Sequence, residues 1–318
     1  MDREHQIIEK YFKPLAQNQE SLGLKNDAAF FKKSKCVIST DMMIEDIHFK
    51  KTSDPKFIAK KLLRINLSDI AAMGALPFGF FLNIAIPKNN TEKWLRDFSS
   101  GLKSDMKKFN LKLFGGDTSS ANKIFLSVTI LGKTRSQNLC HLKNKAKNKS
   151  SIYVSGTIGD AALGCLLFKN YSFLNCSKGN KDKLIKKFNL PEPRLSTSQY
   201  LLGKAEFCTD ISDGLLRELN QVASYSKKCA NIFLEKIPMS NAVKEIYKKN
   251  KNIDFWEILL SGGEDYELLF AISDEKRINI SERNDFTKIG YFSNGTGLKI
   301  IDRNGNHFYP NKIGFSHF

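Results

Sequence analysis

Eight acidic residues are set apart by their surroundings. Asp27, Asp41, Asp69, Asp117, Asp210, Asp213, Glu264 and Asp265 stand at the ends of apolar runs or beside glycines, whereas many other acids lie in Lys-rich polar segments that need only be solvated. Asp41 closes the run Cys36-Val-Ile-Ser-Thr40, so Ser39 and Thr40 add two hydroxyl oxygens to its carboxylate. Hard cations such as Mg²⁺ take ligands of this kind. Asp69, within Asn66-Leu-Ser-Asp69, interrupts an apolar helical stretch, and an unpaired carboxylate buried there is costly without a cation or metal partner. In Gly115-Gly-Asp-Thr118, two glycines let the backbone approach a phosphate while Asp117 holds the counter-cation. Asp210-Ile-Ser-Asp-Gly214 places two carboxylates three apart before a helix, and Gly262-Gly-Glu-Asp-Tyr266 is a further Gly-Gly-acid turn before an apolar run. Singly, each has an ordinary structural reading: a strand-end cap, a tight turn, an N-cap. Together they imply more, because carboxylates gathered in one cleft repel unless cations are bound among them. The chemistry indicated is a multi-metal site that handles polyphosphate.

Those residues must be held by regular elements, and hydrophobic periodicity supplies them. Residues 36–40, 79–86, 111–114, 124–132, 152–155, 231–234 and 267–272 read as strands. Residues 57–73, 91–110 and 215–225 read as helices, and another begins at Asp160. Gly115–Lys123 reads as a loop between two strands, and Tyr171–Lys187 as a polar surface excursion. The alternation of strands and helices gives α/β plus α+β architecture. A composition shift at Lys133–Ser151, polar and Lys-rich, divides the chain into an N-terminal α/β unit (1–135), a linker (136–150) and a C-terminal α+β unit (151–318).

Composition narrows the classes. A 318-residue chain with 41% hydrophobic residues builds real cores, which excludes bulk disorder. The net charge of +17 raises nucleic acid, membrane surfaces and anionic substrates as partners. The Lys residues are scattered, and no RNA- or DNA-binding module signature is present, so no nucleic-acid partner is expected. The uncharged stretch Ile70–Pro87 contains Pro77 and Gly79, and it reads as helix, turn and strand rather than a membrane span. Six cysteines show no CxxC or zinc-ligand spacing, and residues 1–19 lack the apolar core of a signal peptide. Both point to a cytoplasmic protein with reduced thiols. P-loop, dinucleotide, protein-kinase and nucleophile-elbow signatures are absent; Gly156-Thr-Ile-Gly159 opens a helix but has the wrong spacing. His48 and His317 are isolated histidines.

Taken in order, the motifs resemble the thiamine-monophosphate kinases of the aminoimidazole ribonucleotide synthetase-like superfamily. The runs that carry the resemblance are Ser39–Phe49, Asn66–Pro77, Gly115–Thr118, Val154–Asp160, Asp210–Gly214, Gly262–Leu268 and Gly314–Phe318, and they span nearly the whole chain. The resemblance implies a two-domain fold whose N-terminal halves pair into a dimer-spanning β-barrel, and ATP-dependent phosphorylation of thiamine monophosphate to thiamine diphosphate. It implies Mg²⁺ held by Asp27, Ser39, Thr40, Asp41, Asp69, Asp117, Asp210 and Asp213. ATP would be contacted by Gly116, Asp117 and Ser212, and thiamine monophosphate by His48, Glu264 and Phe315. Of these, Asp41, Asp69, Asp117 and Asp210 would carry catalysis. Phe315 stands where the family often has Trp, an exchange that ring stacking tolerates. Lys143 stands where the family usually has an ATP-binding Arg and would contact ATP in its place; an ammonium gives a point charge without the bidentate fork.

The acceptor is a phosphate monoester, already a sufficient nucleophile, so the expected mechanism is direct in-line transfer governed by positioning and charge stabilisation. Other readings are a synthetase of the same superfamily acting on a purine precursor or a selenium-type acceptor, a nucleic-acid-binding protein, and a catalytically silent nucleotide sensor.

Overall fold

The computed structural model describes residues 3–89, 91–169, 174–250, 254–273 and 285–315. After a short helix α1 (Arg3–Ile7), the first half is a five-stranded sheet of β1 (Ala29–Phe31), β2 (Cys36–Ile44), β3 (Leu76–Ile86), β4 (Lys112–Ser120) and β5 (Phe125–Lys133). The order is β1-β2-β5-β3-β4. Only β3 and β4 run parallel, which requires a crossover, and helix α3 (Glu92–Phe109) supplies it. Thr91 caps α3 by accepting from the Trp94 N–H, and Asn110 ends it in the left-handed region.

Helix α2 (Pro55–Ala72) positions the site. Asp54 caps it, and Pro55 opens it with a preset φ. It is buried on most of its surface because it lies between the two halves. Leu62, Leu63, Leu67 and Ile70 join the first core, while Ala71 packs with Cys208, Leu268 and Phe270 of the second half.

The second half contains β6 (Ser151–Ser155), β7 (Phe207–Asp210), β8 (Lys228–Phe233), β9 (Leu268–Ile272), β10 (Phe286–Asn294) and β11 (Gly297–Ile301), in the order β11-β8-β10-β6-β9-β7. Helices α4 (Asp160–Phe168), α5 (Lys178–Asn189), α6 (Leu195–Leu201), α7 (Leu215–Ser226), α8 (Asn241–Lys249) and α9 (Phe255–Ser261) surround a large apolar core.

Two segments differ from the sequence reading. Gly115–Lys123 is not all loop: residues through Ser120 continue β4, paired with β3 as Phe81–Gly115 and Asn83–Asp117. Gly115, Gly116 and Asp117 give a weak local strand signal, and the pairing is tertiary. Gly116 has φ +151, and a Cβ there would lie 1.7 Å from the Leu82 carbonyl oxygen, so glycine is required. The Lys-rich excursion contains α5, which buries Leu184 and Phe188 at helical spacing. Segment 134–150 has one helical turn, Lys143–Lys145, but is firmly packed, with His141, Lys143, Ala146 and Ser150 buried.

The N-terminal sheet of a single chain is open rather than a closed barrel, and β4 is an edge strand exposed along its length. Among the described residues no helix is long and apolar enough to cross a membrane. The uncharged stretch 70–87 divides into the end of α2, a turn at Gly74 and β3.

Candidate active site

Strand β2 alternates its side chains, and this decides which hydroxyls reach the acids. Ser39 and Asp41 face α2. The Ser39 Oγ–H lies 2.6 Å from Asp69 Oδ2 and 3.1 Å from the Asp27 carbonyl oxygen. The Asp41 N–H donates to Asn66 Oδ1, 3.1 Å. Strand β7 delivers Asp210 from the second half, where its Oδ2 accepts from Ser68 Oγ at 2.6 Å. Asp27, before β1, accepts from Thr209 Oγ1 at 3.1 Å. Five predicted ligands, Asp27, Ser39, Asp41, Asp69 and Asp210, are thus drawn together around α2 by elements from both halves.

Their electrostatics follow from burial first and crowding second. Burial pushes the Asp69 carboxyl well up, reinforced by Asp41, Asp210 and Asp27. Burial likewise raises Asp210, with Asp27 adding to it. Asp41 is pushed up to about 6, by burial and then by Asp213. Asp27 Oδ2 is buried with no hydrogen-bond partner. No group of three or more His, Cys, Asp or Glu side chains among the described residues forms a ready-made metal-ligand constellation. Even so, crowded, all-oxygen carboxylates with one orphaned buried oxygen are a donor set that fits a hard divalent cation.

Thr40 and Asp117 lie elsewhere. Thr40 is on the opposite face of β2, and its Oγ1 donates to the Val128 carbonyl, 3.1 Å. Across the sheet, Met42 pairs with Ser127, Ser127 with Asn83 and Asn83 with Asp117, so Asp117 shares the Thr40 face. Three strand spacings separate Asp117 from β2, roughly 14 Å along the sheet. Gly116 lies on the same exposed edge strand.

A second group of predicted residues meets at the loop after β7. The Ser212 carbonyl accepts from Glu264 N–H at 2.6 Å, and the Asp213 carbonyl from Phe315 N–H at 2.9 Å. Arg217 Nε lies 3.5 Å from Asp213 Oδ2, and its guanidinium also donates to the Phe315 carbonyl, which ties the C-terminal segment to α7. Glu264 sits in the left-handed region, φ +66, and its Oε2 is 2.5 Å from Lys61 Nζ. His48 accepts from the Ile44 N–H through Nδ1, 3.0 Å, at the end of β2. His317 lies outside the described residues.

Lys143 enters the carboxylate cluster itself. Its Nζ is 2.6 Å from Asp27 Oδ1 and 2.9 Å from Glu218 Oε2. Glu218 and Lys61 lie outside the residues to which the sequence pattern points, whereas Asp265 is one of the eight acids set apart there, in the Gly262–Tyr266 turn. Asp265 accepts from the N–H groups of Gly159 and Ala161, and burial pushes it up to about 8. Tyr266 is buried, and burial raises its phenol before Glu264, Asp41, Asp210 and Asp213 add to it. The available signal for Lys61 was a charge on the apolar face of α2; Glu218 had only its place on α7.

Residues 25–134 match the family model for the N-terminal domain of AIR synthase related proteins. The thiamine-monophosphate kinase of Buchnera aphidicola subsp. Schizaphis graminum is 36% identical over 99% of this chain and 98% of its own. A solved structure of AaThiL complexed with AMPPCP and TMP superposes with a TM-score of 0.84 at 27% identity, covering 100% of this chain and 99% of that one. The thiamine monophosphate kinase structure from Aquifex aeolicus gives a TM-score of 0.83 at 26% identity, covering 98% of this chain and 100% of that one.

Proposed function

The chain belongs to the thiamine-monophosphate kinase family, and from that premise we propose that it is a thiamine-phosphate kinase, transferring the γ-phosphoryl group of ATP to thiamine monophosphate to give thiamine diphosphate and ADP. The observation that carries this reading is full-length similarity to a solved structure of AaThiL complexed with AMPPCP and TMP, joined to an acid cluster assembled from both halves of this chain.

The chemical problem is to hold two polyanions in line. Asp27, Ser39, Asp41, Asp69 and Asp210 would hold Mg²⁺, with Asp213 at the rim and Thr40 and Asp117 on the outer face. Bound there, Mg²⁺ would neutralise phosphate charge and template the two substrates. Gly116 and Asp117 offer the nucleotide a backbone that carries no side chain at one position, and Ser212 a hydroxyl. His48, Glu264 and Phe315 form the thiamine monophosphate side. There, Glu264 is fixed by Lys61, and Phe315, 44% exposed, is the aromatic group that would stack on the substrate. The acceptor phosphate is nucleophilic enough that no carboxylate acts as base, and transfer is direct, without a phosphoenzyme.

The active unit in this reading is a homodimer. Leu76, Phe81, Leu113, Phe114 and Phe125 are exposed on the open sheet, and among the described residues no strand pairs with the outer edge of β4. A second copy would cover that surface and close the sheet as a shared barrel. The working division remains 1–135, 136–150 and 151–318, and six free thiols suit the cytoplasm.

The test is ADP release by the purified chain with ATP, Mg²⁺ and alternative acceptors. Thiamine monophosphate should support turnover, and aminoimidazole-type precursors should not. Turnover with a purine precursor alone would overturn the assignment.

A further inference from the structure

The resemblance puts Lys143 at an ATP-contacting position, and in the structure its ammonium lies between two carboxylates. Its side chain is 8% exposed, wedged between Asp27 and Glu218, whose side chains are 8% and 3% exposed. Gln221 Oε1 is a further acceptor at 3.4 Å. The backbone fixes this placement: Lys143 N–H donates to Asn26 Oδ1 at 2.9 Å, and the Lys143 carbonyl accepts from Ser226 Oγ at 3.2 Å. The turn that carries Lys143 is therefore clamped at both ends, to the segment before β1 and to the end of α7. Asp27 divides its two oxygens. Oδ1 takes the ammonium and the Thr209 hydroxyl, while Oδ2 is buried without a partner beside the acids of the cluster.

We propose that the Lys143 ammonium is a tethered counter-cation of the carboxylate cluster, balanced by Glu218, and that it sets how strongly the cluster binds free divalent cations rather than contacting the nucleotide. It occupies one cation position at Asp27 permanently and leaves Oδ2 for a metal. A compact ammonium on a flexible stem reaches one oxygen of each carboxylate here, an arrangement that uses its charge and needs no bidentate fork. Lys143 and Glu218 are positioning residues in this account, and the inference rests on the metal-dependent reading above.

Opposite charges at two adjoining buried positions give opposite effects on cation binding. Mn²⁺ is titrated into the full-length, nucleotide-free protein by calorimetry, and melting is followed in EDTA. Lys143→Met should bind Mn²⁺ about tenfold or more tightly than the unmodified chain and melt lower in EDTA. Glu218→Gln should bind Mn²⁺ more weakly. Lys143→Arg, which keeps the charge, should stay within about threefold of the unmodified chain. Weaker or unchanged Mn²⁺ binding by Lys143→Met overturns the proposal. So does a shift of both variants in the same direction, which is what a merely structural role would give. If Lys143→Met does not fold, Glu218→Gln and Lys143→Arg still decide it, because unchanged Mn²⁺ binding in Glu218→Gln overturns it alone. Failure of the unmodified chain to bind Mn²⁺ overturns the metal-dependent reading and this proposal together.

Discussion

Replacing Asp41 by Asn should make the metal-free protein more stable while it removes activity. The reasoning starts from the cluster: the Asp41 carboxyl is pushed from its ordinary value to about 6, first by burial and then by Asp213. A carboxyl whose folded pKa is raised favours the native state below its unfolded pKa, and that contribution is lost as pH rises through the folded pKa. In metal-free protein the loss falls between about pH 4 and pH 6 and is complete at pH 8. A shift of roughly 2 units at ~1.4 kcal/mol each is about 3 kcal/mol, and the partial exposure of Asp41 reduces it to about 2 kcal/mol. Asn keeps the volume, removes the charge and relieves that cost. At about 2–4 °C per kcal/mol, Asp41→Asn should melt roughly 4–8 °C above the unmodified chain in EDTA at pH 8, with the gap closing near pH 4. Adding Mg²⁺ should raise the unmodified chain and leave the variant nearly unmoved. The assay is differential scanning fluorimetry at both pH values with EDTA or Mg²⁺. A variant no more stable than the unmodified chain in EDTA at pH 8 would show that the cluster stores no repulsion.

Three further outcomes follow from other parts of the molecule. His141 is buried with Nε2 unpartnered, and burial lowers it to about 4, so its protonation opposes folding as pH falls from 6.5 toward 4. His141→Leu should lose about 2 kcal/mol less stability than the unmodified chain between pH 7 and pH 5, read by urea denaturation; equal losses refute the assignment. Phe114→Asp places a charge on the exposed face beside Phe78 and Phe81 and should halve the mass seen by light scattering at micromolar concentration. An unmodified chain that is already monomeric contradicts the shared barrel. Direct in-line transfer predicts inversion at the γ-phosphorus of chiral thio-ATP, and retention would reveal a phosphoenzyme.

The parts legible in the sequence are those with a local signature. Helices α2 and α3 follow from apolar spacing, and Asp69 stood out because an acid in an apolar helix must find a partner, as it does against Ser39 and beside Asp41. What the sequence did not carry is which face a residue takes and which distant residue it meets. Thr40 adjoins Asp41 in the chain, yet strand alternation sends it to the other side. Strand β4 has no strand-like composition past Phe114, and only its pairing with β3 makes it one. The Lys143–Glu218 contact joins residues 75 apart, a separation that no local pattern encodes.

The most direct measurement of the central claim is product analysis. The purified chain is incubated with ATP, thiamine monophosphate and Mg²⁺, and nucleotides and thiamine phosphates are separated by chromatography. Thiamine diphosphate should appear one-for-one with ADP, should vanish in EDTA, and should fall by at least 100-fold in Asp41→Asn and Asp117→Asn. ADP formed without thiamine diphosphate, or undiminished product from both variants, would contradict the account.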